Sequence, residues 1–158
     1  MQSKYKAIIF DWGRTLFDSE TKEEFSEAQD VLLVCNEMGI KLAVVSLVTH
    51  HANATLEERR AQIENSPLRK YFEYTRVTDA DKDAILDEVV LSFALPRENI
   101  LIVDDRTVRG IRYGNMHGHP TVWLQKGKFT DELPNEETGQ PIFTIHDLQE
   151  LTEIIQEA

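Results

Sequence analysis

Apolar residues in this chain fall into short continuous runs separated by longer stretches with three-and-four spacing. Residues 6–11 form the first run and predict a buried strand. Over 22–38, Phe25, Ala28, Leu32, Cys35 and Met38 recur at helical spacing, and Gly39 stands where a helix stop is favoured. Lys41 to Val48 is apolar and β-branched, the pattern of a parallel strand. A helix is predicted over Ala54 to Glu64, before Pro67, and a strand over Tyr74 to Val77. A helix over Asp81 to Leu95 is ended by Pro96. Ile100 to Val103 predicts a strand, Thr107 to His117 a helix and Thr121 to Leu124 a strand. The polar stretch 125–140 predicts a long loop, first a solvated surface loop and second a partial flap. A short strand over Ile142 to Thr144 and an amphipathic helix over His146 to Ile155 complete the order.

Strands alternating with helices imply right-handed βαβ units. The predicted class is α/β: a single Rossmann-like domain over residues 1–158, with a parallel sheet of about five strands and helices on both faces.

Composition narrows the partners. The net charge of −11 argues against a broad nucleic-acid or anionic-membrane footprint. No apolar run is long enough to span a bilayer, and no long apolar segment follows Met1 to Lys6, so no signal peptide is expected. Cys35 is the single cysteine, which excludes an internal disulfide, fits a cytoplasmic location and falls within an apolar helical pattern. It reads as a core residue, not a nucleophile.

Ligands of such sheets bind beyond the carboxyl ends of the strands. Asp11 ends the first strand there, Ser46 lies near the end of the second, and Asp104 and Asp105 follow Val103. Carboxylates brought that close raise one another's pKa or require a cation. Mg²⁺ suits hard oxygen ligands and keeps waters that a phosphate can replace. Ser46 and Lys82 can hold phosphate oxygens. The backbone of Trp12, Gly13 and Arg14 can add an anion-binding nest. One carboxylate would remain to attack phosphorus.

These residues resemble the haloacid dehalogenase-like (HAD) hydrolase superfamily over nearly the whole length. Phe10-Asp11-Trp12-Gly13-Arg14-Thr15-Leu16 with Asp18-Ser19 resembles motif I, and Ala43-Val44-Val45-Ser46 resembles motif II. Lys82 resembles the motif III lysine, and Ile100 to Arg106 the paired-acid form of motif IV. The resemblance implies a Mg²⁺-dependent phosphatase acting through an aspartyl-phosphate. Asp11 would be nucleophile and metal ligand, and the Gly13 carbonyl a second ligand. Ser46 would bind the phosphoryl group, and Lys82 would neutralise it and orient Asp11. Asp104 and Asp105 would bind or support the metal, with either as the direct ligand. The connections after Asp18 and after Val48 leave no room for a cap domain. Capless relatives often accept large substrates or borrow a neighbouring subunit, so the implied partners are a phosphorylated substrate, small or large, and a homo-oligomer.

The departures matter as much. Family phosphatases carry a general acid two residues after the nucleophile, and here that residue is Gly13. General acid–base help is worth about 10²–10⁴ in rate. A good leaving group, a substitute acid such as Asp18, or a degenerate phosphate-binding or regulatory domain with little catalysis would each answer to this. Aligned to the longer form of motif IV, Gly110 falls where another acid is often found. A dehalogenase-type hydrolase also lacks the acid, but the Asp104-Asp105 pair argues against it. A receiver-like signalling domain would carry its acidic pair early in the chain, not late. Arg14 and Arg106 are candidates to steer an anion or to form surface ion pairs, and His50 and His51 to line the entrance or lie on the surface. Glu57 and Glu58 with Arg59 and Arg60 read as a solvated helix face.

Overall fold

The computed structural model describes residues 3–49 and 54–157. The first apolar run becomes strand β1 (Ala7–Phe10), buried throughout. A strand buried on both faces sends alternate side chains to opposite cores. Ile8 and Phe10 join one apolar cluster, and Ala7 and Ile9 join the other. A two-stranded hairpin follows, β2 (Phe17–Asp18) antiparallel to β3 (Glu23–Glu24). Helix α1 (Ala28–Glu37), strand β4 (Lys41–Leu47), helix α2 (Leu56–Glu64) and strand β5 (Phe72–Thr78) come next. Helix α3 (Lys82–Phe93) leads to β6 (Ile100–Asp104). A π-helical turn over Thr107–Ile111 runs into α4 (Arg112–His117), and β7 (Thr121–Leu124), β8 (Phe143–Ile145) and α5 (Glu150–Glu157) close the chain.

The main sheet has six strands in the order β5-β4-β1-β6-β7-β8, and every pairing is parallel. Helices α1, α2 and α5 send Leu32, Ile63 and Ile155 to the core of Ile8 and Phe10. Helices α3 and α4 send Leu86, Val89 and Tyr113 to the opposite face. The α/β architecture is therefore as the sequence predicts, with one more strand than expected. With β1 between β4 and β6, the chain leaves the sheet in opposite directions on either side of β1. That opens a crevice at its carboxyl end.

Two boundaries differ for local reasons. The helix expected over 22–38 begins only at Ala28. Asp18 Oδ1 accepts from the Glu20 amide (2.9 Å), and the Lys22 amide donates to the Asp18 carbonyl (2.9 Å), so turn chemistry takes the residues before it. The helix expected over Thr107–His117 is π-wound in its first half. Gly110 there presses on Asp104: a Cβ added to it would stand 2.7 Å from the Asp104 Cβ. Among the described residues there is no cap domain. The β1–α1 connection holds only the hairpin, and β4 is separated from α3 by α2, a short 3₁₀ turn and β5. No helix is long and apolar enough to cross a membrane. His50 and His51 lie outside the described residues.

Candidate active site

The backbone amide of Asp11 donates to the Val103 carbonyl (3.1 Å), so the residue after β1 stays in register with β6. That register sets the Asp11 side chain beside Asp104 and Asp105. One carboxylate oxygen from each of the three lies within 4.8 Å of the others.

Lys82, the first residue of α3, reaches this cluster. Its helix start is fixed by Asp81, whose Oδ1 accepts from the amides of Asp83 (2.9 Å) and Ala84 (3.4 Å). Lys82 Nζ donates to Asp11 Oδ1 (3.0 Å) and Asp104 Oδ2 (3.1 Å). The lysine is 6% exposed, and a buried ammonium persists only with such partners. Burial alone would lower its pKa, but Asp104 and Asp11 outweigh burial and raise it. Burial pushes Asp11 up, and Lys82 more than reverses this, so its carboxyl is held below the usual range.

The two acids of the pair differ in their partners. Asp104 is engaged at both oxygens: Oδ1 accepts from the Arg106 amide (3.0 Å), and Oδ2 from Lys82 and the Gly110 amide (2.8 Å). Asp105 is 2% exposed, and its Oδ2 has no hydrogen-bond partner among the described residues. Burial first, then the charges of Asp11 and Asp104, push its carboxyl up to about 10. A cluster of three carboxylates with one lysine and a bare buried oxygen fits a hard divalent cation.

A cavity of about 310 Å³ opens over Asp11 and Asp105. Gly13 and Arg14 line it from the loop after β1, Phe17 from β2, and Arg106 and Arg109 from the segment after β6. Helix α2 lines it with Arg59 and Gln62. Trp12 is packed beneath, stacked on Phe17 at 5.4 Å and donating Nε1–H to Gln62 Oε1 (2.8 Å).

No family model matches the chain, and no curated protein matches it by sequence. Solved structures do. The magnesium-bound HAD hydrolase YfnB of Bacillus subtilis aligns with 96% of this chain and 98% of its own, at TM-score 0.75 and 14% identity. A Haemophilus somnus protein described as a predicted phosphoglycolate phosphatase aligns over 98% and 99%, at TM-score 0.74 and 13% identity. The L-2-haloacid dehalogenase RSc1362 aligns with 84% of this chain and 56% of its own, at TM-score 0.67 and 20% identity. The fold is the HAD-like fold.

Within this HAD-like fold the structure brings Asp11, Lys82, Asp104 and Asp105 together. Ser46 is fully buried on β4, and its Oγ accepts from Arg59 Nη1 (2.7 Å). The Arg14 amide donates to the Phe17 carbonyl (2.7 Å), so that amide is not free for the expected nest. Asp18 is a poor substitute acid, because the Glu20 amide it accepts holds its pKa low. Gly110 is the residue that lets the chain pass close to Asp104, so a side-chain acid has no space there.

Three site features escaped the sequence reading. Arg59 is not on a solvated face: it lines the cavity, while Arg60 is exposed. Helix α2 turns Arg59, Gln62 and Ile63 inward at three-and-four spacing, but two of the three are polar because they face the site. Arg109 also lines the cavity, and its charge helps hold Asp11 low. Finally, the 125–140 segment is a pinned wall, not a free loop. Glu132 pairs with Arg106 (2.9 Å), Asn115 Nδ2 donates to the Thr138 carbonyl (2.9 Å), and Lys128 and Phe129 line the cavity. The segment's lysines precede all its acids, so local charge gives no signal: Glu132 finds its cation, Arg106, across the fold.

Proposed function

We propose that this protein is a Mg²⁺-dependent phosphohydrolase of the HAD superfamily that works through an aspartyl-phosphate at Asp11. The observation that carries the reading is the divided environment of the acids. Asp11 is held ionised by Lys82 at the floor of a cationic cavity, with the bare oxygen of Asp105 beside it.

In this reading Asp11, Asp105 and the Gly13 carbonyl hold the metal, and Asp104 positions Lys82. The bound ion would supply charge neutralisation between the carboxylates and a phosphoryl oxygen. Asp11 attacks phosphorus with the carboxylate oxygen that Lys82 does not hold. The bond to the ester oxygen breaks, and the leaving oxygen takes its proton from solvent. Water then cleaves the acyl phosphate and regenerates the Asp11 carboxylate. Lys82 offsets charge on the transferring group. Ser46, whose hydroxyl accepts from Arg59, keeps its own proton to donate to a phosphoryl oxygen, and Arg59 adds a second charge-assisted donor.

Among the described residues no acid other than Asp11 and Asp105 lines the cavity, and as metal ligands neither is free to protonate a leaving group. This favours esters whose leaving group departs unprotonated. The same observation favours a second reading, a phosphoester-binding domain with little turnover. Mg²⁺-dependent phosphate release from p-nitrophenyl phosphate, abolished in Asp11→Asn, is the expected result for the enzyme. Tight Mg²⁺-dependent binding with no release across a panel of aryl, acyl and alkyl phosphates would establish the binding domain instead.

A further inference from the structure

The cavity over Asp11 carries more positive charge than one phosphoryl group needs. Arg14, Lys22, Arg59, Arg106, Arg109 and Lys128 all line it, against two acids. The whole chain has 17 Lys and Arg in 158 residues, which would place about two among the sixteen lining residues, and its net charge is −11. Of the six, only Arg106 has a carboxylate within ion-pair distance among the described residues. Unpaired cations converging on a concave site in an acidic protein are a focusing device for an anion.

The cations fall into two groups. Arg59 belongs to the reacting end, bonded to Ser46; burial lowers its pKa, and the charge of Asp11 offsets part of that. Arg14, Arg106 and Lys128 instead gather around Phe129, with Arg106 at 3.8 Å from the ring centre and Arg14 and Lys128 at 5.5 Å. Glu132 holds Arg106 by two bonds to its Nε (3.0 and 3.1 Å), which fixes the ring and the guanidinium on the pinned 125–140 segment. Lys22 approaches from the β2–β3 turn.

The backbone carries an independent sign. Only three non-glycine residues in the described chain have positive φ, and two of them are Arg14 and Lys22, both at 64°. That conformation favours glycine or asparagine, yet at both cavity-lining positions the chain keeps a long cation.

The volume agrees with a ligand larger than phosphate. At about 30 Å³ per water the cavity has room for about ten waters, of which a phosphoryl group displaces a part.

We infer that Arg14, Lys22, Lys128 and the Phe129-braced Arg106 form a second anion subsite, so that the substrate is a small phosphomonoester bearing a second anionic group. The inference rests on the phosphatase reading for the first group only. A carboxylate and a second phosphate share the required chemistry.

The test uses the full-length protein. Binding to Asp11→Asn with Mg²⁺ is measured by calorimetry for two matched pairs, glycerol 3-phosphate against 3-phosphoglycerate and fructose 6-phosphate against fructose 1,6-bisphosphate. In each pair the second anion is the main difference. The two-anion member of at least one pair is expected to bind at least tenfold tighter, about 1.4 kcal/mol, and the pair that responds tells carboxylate from phosphate. In the triple variant Arg14→Asn, Lys22→Asn, Lys128→Ser the ratio should fall below threefold. Asparagine tolerates the left-handed backbone, so folding is preserved. Equal affinities within both pairs, or a preference that survives the triple variant, would overturn the subsite. Wild-type turnover separates the two readings. Hydrolysis of both members with equal affinities overturns the subsite and leaves the phosphatase standing. A two-anion preference without turnover of either supports the subsite and overturns the phosphatase. Binding of no member overturns both.

Discussion

At the scale of single residues, Gly13 and His119 make opposite use of missing partners. A Cβ on Gly13 would meet Ser19 Oγ at 3.4 Å and Arg59 Nη1 at 3.8 Å, so an acid fits there without backbone movement. Gly13→Asp is expected to raise turnover of alkyl phosphates about 10²-fold, the low end of general-acid assistance, with little gain on p-nitrophenyl phosphate. Equal effects on the two esters, measured as kcat/KM, would mean that the new carboxylate pairs with Arg59 and does not protonate the leaving oxygen. His119 is a stability matter. Its ring is 4% exposed, Nδ1 lies 3.0 Å from the Arg97 carbonyl and so carries the proton, and Nε2 has no partner among the described residues. Burial lowers its pKa in the fold. As pH falls through about 6.5, the unfolded chain binds a proton that the folded chain refuses, so stability drops until the lowered folded pKa is reached. Urea titrations between pH 7 and 5 should show a shallower loss for His119→Gln than for wild type. Parallel curves would assign the acid sensitivity to other groups.

At the scale of elements, α2 links stability to the site. Thr55 and Glu58 form a reciprocal cap, with the Glu58 amide donating to Thr55 Oγ1 (3.1 Å) and the Thr55 amide to Glu58 Oε1 (3.3 Å). Removing such a cap costs about 1 kcal/mol. Because Arg59 follows one residue after the box, Thr55→Ala should loosen the guanidinium as well as the helix. The expected outcome is a Tm lower by about 2–4 °C together with a KM for phosphate esters raised several-fold and kcat changed less. A lower Tm with unchanged KM would detach Arg59 from substrate binding. The same helix marks where sequence reading ends. Strands β1, β4 and β6 were legible because burial on both faces forces continuous apolar runs. Asp11, Lys82, Asp104 and Asp105 were legible because topology carries those strand ends and the start of α3 to one edge. Arg59 was not, since a helix that turns polar residues toward a site has the pattern of a solvated one. Nor was the hairpin before α1, where Phe25 satisfies helical spacing while the Asp18 turn decides the backbone.

At the scale of the whole molecule, the fold is built around a charge arrangement that costs stability. Two buried carboxylates, a third that is partly buried, and one lysine stand together in a chain already at −11. Asp105 is the member without a cation. With its carboxyl pushed up to about 10, the metal-free fold must keep Asp105 protonated, whereas the unfolded chain would ionise it. Replacing it by Asn keeps the shape without that cost, so the metal-free variant should be more stable than wild type, by an amount of order 1 kcal/mol. In a domain of this size that is about 2–4 °C in Tm. Mg²⁺ should act unequally on the two proteins. A cation bound only by the folded state at about 100 times its Kd contributes about 2.7 kcal/mol, which raises the wild-type Tm by about 5–10 °C. Asp105→Asn should show little of this rise, so its advantage is expected to vanish or reverse as Mg²⁺ is added. Asp104→Asn separates the two acids. It leaves Lys82 with one carboxylate partner and turns one of the two acceptor oxygens into an NH2 that faces either the Gly110 or the Arg106 amide, so it should lower Tm both with and without metal. Thermal melts of the three proteins across a Mg²⁺ series decide the matter. A wild-type Tm indifferent to Mg²⁺, or an Asp105→Asn protein that responds to it as strongly as wild type, would remove Asp105 from the metal site.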